Sequence, residues 1–131
     1  MAKVAVRESV TVAGLAERAR LVRAFVGGVL GPGHPCGDDA GLLVSELFGN
    51  SLRYSRSGDL GGTVTVVVAA GGGIVRVEVK DRSGSGVPQL RSVGGDAEGG
   101  RGLELVARLA TRWGWRERGG LTVTWFELQH G

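Results

Sequence analysis

Glycine placement limits what this chain can fold into more than any other feature. Twenty-five of its 131 residues are glycine, against a usual share of about 7%, and they fall in pairs and triplets between apolar segments. Glycine weakens the interiors of helices and strands, but it suits tight turns and loops that pass close to a ligand. With only three prolines, the two residue types together stay below the ~25–30% that marks low complexity. The expectation is a compact fold of short elements joined by glycine turns. The length matches one domain spanning 1–131, and a chain of this size buries enough surface to need no disulfide or metal staple. Cys36 stands alone, so it makes neither an internal disulfide nor a zinc site built from cysteines. That usage suits a reducing cytoplasm.

Sixteen basic residues against thirteen acidic ones leave a net charge of only +3. The pI of 9.7 reflects fourteen arginines against two lysines, and these arginines are scattered. Without a Lys/Arg run, and with aromatics at 5%, direct nucleic-acid binding is not expected. No stretch of about 18 apolar residues and no signal-peptide pattern is present, so neither a membrane span nor secretion is expected.

A strand is expected around residues 4–12. Leu15, Ala19, Val22, Val26 and Val29 then recur at helical spacing, predicting an amphipathic helix over 14–30 that stops at Gly31-Pro32-Gly33. A second helix starts between Cys36 and Asp39, with Asp38 and Asp39 at the positive end of its dipole, and runs to about Tyr54. Residues 63–70 and 74–80 form a hairpin across Gly71-Gly72-Gly73. Residues 81–100 are a long Gly/Ser-rich loop, and loops of that length in a compact domain tend to be functional or disordered. Leu103, Val106, Ala107 and Ala110 mark a short third helix. Residues 112–116 and 121–128 form a last hairpin across Gly119-Gly120. This order implies an α/β, or α+β, two-layer sandwich: a mixed, mostly antiparallel sheet covered on one face by helices. Alternation puts Trp125 with Leu121 and Val123 on one strand face, and that face is expected to be core.

Three polar islands are not required by such a fold. On the second helix, Glu46 and Asn50 lie one turn apart with Arg53 near the same face. A carboxylate and an amide so placed can hold a hard cation or position a hydroxyl, or can be an ordinary solvated pair. Asp81 shares the parity of Val75, Val77 and Val79, so it points to the face the helices cover. There a carboxylate needs a hydrogen-bond donor, either from a ligand amino group or from its own loop amides. Gly99-Gly100-Arg101-Gly102 leads into the third helix, where free N–H groups and Arg101 suit a phosphate, although such a cap is also a common turn.

In this order the islands resemble the nucleotide-binding boxes of the histidine-kinase-like (GHKL) ATPases, in particular the small anti-sigma-factor-type serine/threonine kinases of actinomycetes. Ser45-Glu46-Leu47-Phe48-Gly49-Asn50-Ser51-Leu52-Arg53 is similar to their N box. The run from Val77 through Asp81, Gly84 and Gly86 to Pro88 is similar to their first glycine box, and Gly99 through Leu103 to their second. Tyr54 stands where many relatives carry His, and Ser83 and Ser85 where the wider superfamily has glycine.

The resemblance implies the Bergerat fold and binding of ATP or ADP with Mg²⁺. It gives Asn50 the Mg²⁺ and Glu46 the role of general base. Asp81 accepts a hydrogen bond from the adenine amino group, and Gly84 and Gly86 let the backbone pass the adenine. Gly100, Arg101 and Gly102 cap the phosphates, and Arg53 and Leu103 complete the nucleotide-binding set. Residues 94–100 act as a lid. The implied function is transfer of the ATP γ-phosphate to a protein antagonist by a protein that also binds a sigma factor. Formation of a homodimer is expected from the same kinship. The alternative is a partner-switching regulator that binds nucleotide without significant kinase activity.

Overall fold

The computed structural model describes residues 6–54, 62–82 and 104–131, with the side chains of residues 53 and 54 left aside. Five strands, β1 (Val6–Ala13), β2 (Thr63–Gly71), β3 (Ile74–Arg82), β4 (Arg112–Arg118) and β5 (Leu121–Gln129), form one sheet in the order β1-β2-β3-β5-β4. All four pairings are antiparallel. Two helices, α1 (Ala19–Leu30) and α2 (Gly37–Tyr54), lie between β1 and β2 in the chain, and a 3-10 turn at Ala16–Arg18 precedes α1. Residues 104–109 are also helical. The two-layer expectation holds, and no helix among the described residues is long and apolar enough to cross a membrane.

Glycine makes the turns as its clustering predicts. β2 and β3 are joined by Gly72 and Gly73, and β4 and β5 by Gly119 and Gly120, all four with positive φ between 59° and 83°. Two successive positive φ values give the mirror-image turn whose twist matches a hairpin, which side chains with a Cβ rarely adopt. Gly31, with φ of 92°, ends α1.

The core lies between the helices and one face of the sheet. Val22 and Val26 of α1, and Ala40, Leu43, Val44, Leu47 and Phe48 of α2, are buried, the three- and four-residue spacing of one helical face. They pack on Val64, Val66, Val68, Val75, Val77, Val79, Phe126 and Leu128, with Val106 from the segment 104–109. A Cβ at Gly41 would lie 3.2 Å from Cγ of Arg23, so glycine there lets α2 sit tightly against α1. Nε of Arg23 donates to Oγ of Ser45 at 3.1 Å across the same contact. The burial stripe of α2 ends on Asn50 and Ser51, which brings polar side chains under the sheet at that end.

The expectation for Trp125 is corrected. Leu121, Val123 and Trp125 do share a face, but it is the one turned away from the helices, while Phe126 and Leu128 enter the core. Trp125 instead sits under the guanidinium of Arg76, whose Cζ is 4.2 Å from the ring centroid. Arg76 also pairs with Glu78 at 3.0 Å and Glu127 at 2.8 Å. Alternation fixes which residues lie together, whereas the choice of face depends on what packs against the sheet.

Candidate functional site

Asp81 is the last inward-facing residue of β3 and is 5% exposed, as its parity with Val75, Val77 and Val79 requires. α2 crosses beneath this end of the strand. Oγ of Ser51 donates to Oδ2 of Asp81 at 2.5 Å, tying the helix to the strand. Oδ1 of the same carboxylate is buried without a partner. Burial pushes the Asp81 carboxyl up to about 6, and the Ser51 hydrogen bond pulls it the other way. Desolvation opposes the charged form more strongly than one hydroxyl supports it. Across the ladder Asp81 faces Thr122 of β5, with Thr124 two residues on, and both threonines are buried.

Asn50 precedes Ser51 on α2 and is 4% exposed, and its Oδ1 is also buried without a partner. Glu46, one turn earlier, is half-buried. The acidic and amide members of the first island thus lie on the stretch of α2 that reaches Asp81. Arg53 belongs to the last turn of α2 by backbone, but its side chain is not described. Gly84, Gly86, Gly100, Arg101, Gly102 and Leu103, and the expected lid at 94–100, lie outside the described residues.

Two orphaned buried oxygens on adjoining elements call for an explanation, because interior polar atoms are almost always paired. A carboxylate with one oxygen committed to Ser51 and the other bare is an acceptor for a further N–H. A bare amide oxygen is a hard neutral ligand, suited to a divalent cation of the magnesium class or to a further donor. Both oxygens are thus acceptors still open to a donor, and the amide oxygen is also open to a cation.

A family model for the histidine kinase-like ATPase domain matches residues 11–127. The chain belongs to this family. Its members are ATPase domains, so nucleotide is the ligand class of this domain. The match spans β1 to β5, including α2 and the end of β3. Among curated proteins none matches the chain.

Ser51 and Thr122 were not singled out by the sequence reading. Ser51 follows Leu47 and Phe48 by four and three residues, so the apolar stripe of α2, continued one more turn, points to it as inward. Thr122 carries no such signal. Only the register of β5 against β3 puts it opposite Asp81.

Proposed function

We propose that this protein is an ATP-binding regulator that works as an anti-sigma-factor-type serine/threonine kinase, passing the γ-phosphate of ATP to a protein antagonist. The observation that carries the nucleotide part is the buried Asp81 carboxylate, held by Ser51 through one oxygen and unpartnered at the other. The exocyclic amino group of adenine is a planar donor of the kind Oδ1 accepts. Neighbouring apolar side chains of the core supply a dry surround that strengthens the bond.

The kinase part is supported by Glu46, one helical turn from Asn50 on the side of α2 that reaches the site. Asn50, through its unpartnered amide oxygen, is the residue that would hold Mg²⁺. When bound, that ion neutralises charge on the phosphates. Glu46 takes the proton from an incoming Ser or Thr hydroxyl as that oxygen attacks the γ-phosphorus, and ADP leaves. Phosphoryl transfer asks mainly for positioning and charge compensation, so a small domain that orients the two substrates suffices. We further place the protein in the cytoplasm, as one domain, with a sigma factor and its antagonist as partners and a homodimer as its assembly. The resemblance of the three boxes supports that placement.

The experiment is transfer from labelled ATP to proteins co-purified from the source cell, beside calorimetric titration of Mg-ATP, in the wild type and in Glu46→Ala. Loss of transfer with unchanged binding is the result expected. Binding without transfer in the wild type would replace the kinase with a regulator that ATP and ADP merely switch, and equal loss of both in Glu46→Ala would remove Glu46 from the reaction.

A further inference from the structure

At the end of α2 remote from Asp81, three metal-ligating side chains meet. His34 lies in the loop before α2, Cys36 immediately before its first turn, and His130 directly after β5. Their ligand atoms all fall within 4.8 Å of one another. The rings of His34 and His130 meet edge to face with centroids 4.9 Å apart. Cys36 is buried and both histidines are half-buried. A lone thiol rules out a site built from cysteines, but the fold adds two imidazoles from distant parts of the chain.

The three positions are fixed by backbone hydrogen bonds. The His130 N–H donates to the Gly73 carbonyl at 2.8 Å, and a Cβ on Gly73 would come within 2.9 Å of the His130 carbonyl oxygen. Only glycine therefore lets the β2–β3 turn close on the end of β5. On the other side, the Gly37 N–H donates to the His34 carbonyl at 3.0 Å and the Ala40 N–H to the Cys36 carbonyl at 2.8 Å. Side-chain rotation alone has to bring the ligand atoms from their present spacing to the roughly 3.5 Å of a tetrahedral Zn–S/Zn–N set.

A thiolate with two imidazoles selects zinc and its transition-metal neighbours, not magnesium or calcium, which take oxygen ligands. Nδ1 of His34 now accepts the Cys36 amide N–H at 2.9 Å. A metal on that nitrogen displaces the Cys36 N–H and leaves the ring proton on Nε2. His34 also lines, with Gly31, Pro32 and Gly33, a surface groove of about 670 Å³.

We propose that His34, Cys36 and His130 form a binding site for a divalent transition metal of the zinc class. The metal clips the α1–α2 loop to the end of β5, and the Cys36 thiol yields its proton to solvent on binding. The site lies roughly 20 Å along α2 from Asn50 and is independent of the nucleotide reading.

The test is titration of Co(II), then Zn(II), into the full chain purified in chelator, followed by absorbance. One equivalent of cobalt is expected to give a thiolate-to-cobalt charge-transfer band that zinc removes, and zinc is expected to raise the thermal midpoint. Cys36→Ser should abolish the band. His130→Gln, at a half-buried position where the fold is retained by circular dichroism, should weaken cobalt binding by at least about tenfold. Absence of a thiolate band at millimolar cobalt, or equal affinity in His130→Gln, overturns the site, and the second arm holds even where Cys36→Ser fails to fold.

Discussion

Asp81 burdens the nucleotide-free fold, and pH reads the burden out. Its carboxyl stands at about 6 in the folded chain, above the ~3.9 of an unfolded one. For a carboxyl raised in this way the favourable contribution is complete below the unfolded value and is lost as pH rises through the folded one. A shift of this size corresponds to about 3 kcal/mol, lost between about pH 4 and pH 6. Asp81→Asn keeps an acceptor for Ser51 and has nothing to ionise. Urea unfolding of the nucleotide-free proteins should therefore show this variant more stable than the wild type near pH 7.5, with the two curves converging below about pH 4. A constant difference across that range would refute the assignment. Ser51→Ala, by contrast, strips Oδ2 of its donor and should cost about 1–3 kcal/mol near neutral pH, measured the same way. At this scale Asp81 was legible because strand parity needs no tertiary knowledge. Thr122 was not, because its neighbour is set by register alone.

α2 is the element that joins core to site. One face carries Leu43, Val44, Leu47 and Phe48 into the core and then, without a break in period, delivers Asn50 and Ser51 beneath β3. Both hairpins were legible because Gly-Gly turns are local signals. The face of β5 was not. Its inward residues begin with Thr122, opposite the buried Asp81, and Thr124, opposite Val79, while its outward residues begin with Leu121 and Val123. The apparent hydrophobic pattern is therefore inverted where this strand borders the candidate site. On the outer face Gly114 pairs with Trp125, and a Cβ at Gly114 would lie 3.0 Å from Cζ2 of that ring. Gly114→Ala should displace the indole from beneath Arg76 and destabilise the protein by about 1–3 kcal/mol in chemical denaturation. Unchanged stability would mean the ring moves aside freely.

Across the whole molecule, the order of elements, the two layers and the place of the first two islands were readable from periodicity and turn chemistry. Which polar atoms are satisfied was not, because Ser51 and Asp81 are thirty residues apart in the chain and only packing brings them together. Since the folded state alone holds the site, ligand binding should stabilise the protein as a unit. At a hundredfold excess over its dissociation constant, ATP is expected to add about 2.7 kcal/mol, visible as a rise in thermal midpoint that is smaller in Asp81→Asn at the same concentration. The most direct test of the central claim, that the unpartnered oxygen of Asp81 receives the base of a nucleotide, is calorimetric titration of Mg-ATP into the wild type and Asp81→Asn near neutral pH. The account predicts one site in the wild type and a loss of roughly 1–3 kcal/mol, about 5- to 150-fold in affinity, in the variant. Equal affinity in the two proteins would contradict it.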